Sequence, residues 1–180
     1  MENIINVPRP LHEVHGERAS LVDVILPHSL SILASIYFLM IPPGADFGLL
    51  KSVLLFVLTY DLIGGVIANF SEGTSRFYAE SKSRRFKFIA LHILQPTAMW
   101  YLFQDHQTVV LITSIYVVGA AIVVNQLKGL RRQLVVSGTL VIIGIFLFQL
   151  FNENAPLTLQ FLLLAFILKL PLAWAVRWYS

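Results

Sequence analysis

The chain has 180 residues, of which 57% are hydrophobic and 13% charged, with a formal net charge of +3 and a mean hydropathy of +0.74. Soluble domains run at about 45–50% apolar and about 25% charged, and a chain this short has too little interior to bury so much apolar surface, so the composition points to the bilayer as solvent. The basic residues lie in short segments between apolar runs, not on a basic domain, which argues against nucleic acid as a partner; the lack of cysteine removes disulfides, thiol nucleophiles, iron–sulfur clusters and thiolate zinc sites.

Residues 1–21 have no basic stretch leading directly into a short apolar segment with a small-residue cleavage site. They read as a retained, polar or interfacial N-terminal lead-in on the cytoplasmic side. Residues 22–180 then form a single transmembrane domain of six apolar runs: 22–41, 48–70, 86–103, 108–127, 133–151 and 157–178. Each is close to the roughly 20 helical residues that cross a hydrocarbon core. The expected fold is therefore all-α, a polytopic transmembrane helical bundle of about six spans, in which short connections make consecutive helices antiparallel neighbours.

The first run carries His28, about 9 Å from the cytoplasmic side at the helical rise of about 1.5 Å per residue. In the second run Asp61, Gly65, Ala68 and Glu72 recur at spacings of four, three and four, flanked by Gly64 and Asn69, so they share one small, polar helix face. A carboxylate facing hydrocarbon is unfavourable by a few kcal/mol, and that face is expected to point into the bundle. Gly64-Gly65 fits close helix packing, the commoner reason for such a pair, a kink, or a close approach of backbone to ligand. The following connection, SEGTSRFYAESKSRRFKF, mixes Arg76, Lys82, Arg84, Arg85 and Lys87 with Phe77, Tyr78 and Phe86, the pattern of a segment lying on an anionic leaflet and holding lipid headgroups. The positive-inside rule alone also calls for a basic loop there.

The third run places Arg85, Phe88, His92, Gln95 and Met99 on one side, and Pro96 breaks its backbone ladder about one turn beyond His92. By the same rise, His92 lies about 9 Å, Asp61 about 13 Å, and Lys169 of the last run about 13–15 Å from the cytoplasmic side. Ionisable groups in four runs thus reach similar depth. They read as a polar intramembrane site of Asp61, His92, Lys169 and His28, with Asn69, Glu72 and Gln95 beside it. Helix pairing through an Asp–Lys contact is the competing structural role.

Arg9, Arg18, the 76–87 cluster, Lys128, Arg131, Arg132 and Arg177 share one side of a six-span layout, against Lys51 alone on the other, so both termini are expected in the cytoplasm of a cell-membrane protein. Tyr37, Trp100, Tyr101, Trp174, Trp178 and Tyr179 cluster toward run ends as interfacial anchors. None of the nucleophile-elbow, zinc-protease, phosphate-loop or dinucleotide motifs is present. Asp61, Glu72, His92 and His28 offer donors that suit zinc, manganese or iron, but their spacing matches no metal signature, so no cofactor is assigned. Three functions remain open: a site that binds or transports a solute, ion or lipid, an enzyme acting on a lipid headgroup at the cytoplasmic leaflet, or a subunit of a homo-oligomer or membrane complex.

Overall fold

The computed structural model describes residues 4–152 and 154–173. Glu153, Trp174, Arg177, Trp178, Tyr179 and the end of the sixth run lie outside the described residues.

The lead-in is a folded cap. Strand β1, Ile4–Asn6, pairs antiparallel with β2, Arg18–Ser20, so that Ile5 faces Ala19. A 3-10 turn at Arg9–Leu11 and the one-turn helix α1, His12–His15, fill the loop between them. Gly16 ends α1 at φ +72°, a conformation that suits glycine, and a Cβ there would lie 2.3 Å from the carbonyl oxygen of Gly73. The cap therefore sits directly on the segment that follows the second long helix.

Helix α2, Leu21–Met40, starts with a capping box: Ser20 Oγ accepts from the Asp23 amide at 3.1 Å, and the Ser20 amide donates to Asp23 Oδ2 at 3.3 Å. It packs along α3, Leu49–Ala68, through small residues. Ser31 and Ser35 are fully buried, Ser35 Oγ donates to the Phe56 carbonyl at 3.1 Å, and a Cβ on Gly64 would come within 2.7 Å of Ser31 Oγ. The glycine pair serves close approach, and α3 runs through it without interruption.

Helix α3 stops at Ala68. Ser71 then caps α4, Glu72–Ala79, and Ser81 caps α5, Lys82–Leu91. The third apolar run is not one helix. It divides at His92–Ile93 into α5, which begins within the basic segment, and α6, Leu94–Leu102. Pro96 causes the division: it has no amide to donate to the carbonyl of residue 92, and its ring crowds that carbonyl. Helices α7, Gln107–Gln126, α8, Gln133–Phe151, and α9, Leu157–Leu172, complete the bundle.

Among the described residues, four helices are long and apolar enough to cross a membrane: α2, α3, α7 with its preceding 3-10 turn, and α8. Helix α9 has 16 described residues, and α5 and α6 have 10 and 9. Helix α9 is the axis, packed on α3, α7 and α8, and its Leu159, Leu162, Leu163, Phe166 and Ile167 are wholly buried. Apolar but for Thr158, Gln160 and Lys169, it belongs at the centre. Side-chain bonds tie the helix ends: Arg85 Nε to Asn125 Oδ1 at 2.7 Å, Asn69 Nδ2 to the Lys169 carbonyl at 2.9 Å, and Ser137 Oγ to the Pro171 carbonyl at 2.6 Å. The starts of α2, α5 and α8 and the ends of α3, α7 and α9 therefore share one end of the bundle, the end that carries the cap. The outer faces are apolar, with Leu33, Leu50, Ile115, Val135, Phe146 and Leu150 all more than 60% exposed.

Candidate functional site

A cavity of about 550 Å³ opens between α3, the α5–α6 break and the start of α2, with the cap above it and Lys169 of α9 at its back. Leu54, Val57 and Leu58 of α3 and Leu94 and Ala98 of α6 form an apolar wall. The polar groups gather toward the capped end.

At their centre Lys169 Nζ lies 2.9 Å from Asp61 Oδ2 and donates to the Asp61 backbone carbonyl at 3.0 Å. The two partners differ in surroundings: the Lys169 side chain is 3% exposed and that of Asp61 47%, so the ammonium is enclosed by protein while the carboxylate borders the open cavity. Lysine reaches this position across Gly65, where a Cβ would stand 2.2 Å from Lys169 Cε and 2.6 Å from Nζ. Gln95 Nε2 closes on the same carboxylate oxygen through a short hydrogen bond.

His92 occupies the last position before the helix break. Its Nδ1 lies 2.6 Å from the Phe88 carbonyl and its ring packs on that of Phe88, with centroids 3.9 Å apart. A carbonyl can only accept, so in the neutral ring Nδ1 carries the proton and Nε2 is a bare acceptor. That Nε2 is buried without a hydrogen-bond partner, and so is Gln95 Oε1. Two unmet buried acceptors, each costing about 1–3 kcal/mol, thus border one cavity.

His28 lines the cavity from α2. Its Nδ1 is 2.5 Å from the Tyr60 hydroxyl and its Nε2 is 2.9 Å from Nε2 of His15, a fully buried residue of the cap. If His28 donates to one neighbour it accepts from the other, so the three side chains form a directional chain of hydrogen bonds from the cap to α3. The cap is held further by Thr74 Oγ1, which donates a short hydrogen bond to the Val14 carbonyl. Within the cap and α4, burial pushes the Tyr78 phenol up, so it stays protonated where it lines the cavity.

The geometry brings together Asp61, Lys169, Gln95, His92, Asn69 and His28 around one cavity. Glu72 is not among them. The face shared by Asp61, Gly65 and Ala68 ends where α3 ends, and Glu72 heads α4 and pairs with Arg76 at 2.6 Å beside a separate, smaller groove. Arg85 leaves the expected headgroup cluster: it is 7% exposed, points inward, and donates to Asn125 and to the carbonyls of Tyr78 and Ala79 at 2.7–3.0 Å. Arg76, Lys82, Arg84 and Lys87 stay exposed, with Arg84 stacked on Phe77 at 4.2 Å and Lys82 over Phe86 at 5.9 Å. His15 and Tyr60 are the site residues that sequence reasoning missed. His15 sits 13 residues before His28 in a segment without helical periodicity, and Tyr60 reads as an ordinary helix aromatic. Among the described residues, no three histidine, aspartate or glutamate side chains are grouped to hold a metal ion.

No known protein family, curated protein or solved structure matches this chain.

Proposed function

We propose that this chain is a six-span protein of the cell membrane, with both termini cytoplasmic, that binds a small solute or lipid in a polar site within the cytoplasmic half of the bilayer and serves to carry or hold it there. In this reading α5–α6 forms a broken third span, and α9 lies in the sixth. Broken helices suit such sites, because irregular backbone at membrane depth is tolerated where it lines a cavity. The carrying observation is that one cavity combines the Asp61–Lys169 pair with the unmet acceptors of His92 and Gln95. A purely structural ion pair has no need of open volume beside its carboxylate. The cavity volume of about 550 Å³ falls within the roughly 300–1,000 Å³ of ligand pockets. Exposed Arg76, Lys82, Arg84 and Lys87 would rest on anionic lipids, at about 1 kcal/mol per basic residue.

Chemistry on a lipid headgroup has less support, since Glu72, which would complete a catalytic set with Asp61, Asn69 and His92, stands outside the cavity. Native mass spectrometry with elemental analysis of the gently solubilised protein tests the binding reading. A stoichiometric small molecule should accompany the wild type and be lost in Asp61→Asn, which keeps the side-chain shape. Equal retention by both proteins, or no bound molecule in either, overturns it.

A further inference from the structure

We infer that the molecule held in this cavity is an uncharged, hydroxyl-bearing amphiphile, its hydroxyl protons going one each to His92 Nε2 and Gln95 Oε1 and its apolar tail lying along α3 and α6. This inference rests on the reading of the cavity as a ligand site. Both buried polar atoms left without partners there are acceptors, so the missing group is a donor. The Gln95 assignment is fixed by its other end: the carboxylate of Asp61 accepts, so the amide nitrogen faces it and the oxygen faces away.

Charge narrows the class. The cavity wall holds Asp61, Glu13 and Lys169, one more carboxylate than cations, so an anionic head meets net repulsion. Lys169 cannot offset it, because its ammonium is enclosed and donates to Asp61 Oδ2 and to the Asp61 carbonyl. A cationic head is opposed in its turn. The Asp61 carboxylate is already matched by the Lys169 ammonium 2.9 Å away and Glu13 stands exposed on the cap, so a cationic head leaving water would find no free buried counter-ion. A neutral donor remains.

The tail follows from the wall. Leu54 and Leu58 lie one turn apart and lead up α3 to Asp61, with Leu94 and Ala98 opposite on α6. Val57 and Leu94, also of the cavity wall, are 56% and 67% exposed, so the apolar wall is open along α3 and α6, where a chain can enter from the bilayer.

The test uses the full chain in phosphatidylcholine nanodiscs and equilibrium binding of tritiated 1-monooleoylglycerol. Oleyl alcohol, oleic acid, oleylamine and methyl oleate serve as competitors with the same tail. Saturable binding displaced by oleyl alcohol, and at least about tenfold less well by the other three, is expected. His92→Phe, which keeps the aromatic packing, should weaken binding by about tenfold, and Ala98→Phe, which fills the tail path, should abolish it. The competitor ranking on the wild type decides the class without relying on any variant. Equal or better displacement by oleic acid or oleylamine overturns the uncharged class, and displacement by methyl oleate overturns the donor. If monooleoylglycerol fails to bind while an Asp61-dependent molecule is found by native mass spectrometry, this inference alone fails; if neither is found, the binding reading fails with it.

Discussion

Lys169 meets Asp61 because position 65 carries no side chain, and this makes Gly65 a test of what the pair contributes. Alanine is better than glycine in a helix interior by about 1 kcal/mol, so on propensity Gly65→Ala should stabilise the protein. The added Cβ would stand 2.2 Å from Lys169 Cε, and the lysine cannot retreat without giving up its contacts at 2.9 and 3.0 Å. We expect a net loss of about 1–3 kcal/mol, the usual cost of overpacking. In a Lys169→Ala background the obstacle is gone and the same change should gain up to about 1 kcal/mol. Unfolding in mixed detergent micelles measures all four proteins of the cycle, and an equal cost in both backgrounds would refute the argument. At this scale the sequence was informative about spacing and depth: a helical period puts Asp61 and Gly65 on one face, and the rise per residue places Lys169 and His92 near the same level. Spacing could not show where the face ends. Ser71 supplied the cue, because serine at a helix start prefers to cap, and its hydroxyl accepts from the Thr74 amide at 3.4 Å, starting a new helix that carries Glu72 away.

Among the elements, the cap behaves differently from the helices it covers. Its strands are three residues long and α1 is a single turn, so no periodicity announces them, and a polar lead-in is all that composition can reveal. The break in the third apolar run, by contrast, is legible from Pro96, although the start of α5 inside the basic segment is not. What fastens the cap is His15, fully buried and hydrogen-bonded to His28. Burial, and then the neighbouring His28, hold the His15 ring below its ordinary value, with Asp23 acting in the opposite direction. The sign follows by linkage. A ring whose docked pKa lies below its free value of about 6.5 takes up a proton more readily when undocked, so docking is at full strength above about pH 6.5 and weakens as the pH falls below it. Spin labels at Glu17→Cys and Lys82→Cys, both exposed positions, report the distance from cap to α5. The distance distribution should be narrow at pH 7.5 and broaden at pH 5, and His15→Leu should remove that difference. A wild-type distribution identical at the two pH values would exclude the latch.

For the whole molecule, two independent patterns agree. Side chains such as Leu50, Phe146 and Leu150 leave broad apolar faces outward, more than a water-soluble monomer exposes. The basic residues meanwhile collect at one end: Arg18 in the cap, Arg76 to Lys87 on α4 and α5, and Arg131 and Arg132 before α8, while Lys51 stands with Asp46 and Asp105 at the other. Positive charge is retained on the cytoplasmic side, so this arrangement predicts which end faces the cell interior. Because the chain has no cysteine, every introduced one is unique. Single cysteines at Ser83 and Arg131, exposed at the basic end, should resist a membrane-impermeant maleimide in intact cells and react once the membrane is opened. Those at Asp46 and Asp105, exposed at the other end, should react in intact cells. Uniform labelling at all four sites, or the reverse pattern, would sink the proposed orientation. A split within the basic end, with Ser83 shielded and Arg131 labelled, would mean that α5–α6 and α7 do not both cross, and the six-span count would fall while the cavity geometry stayed intact.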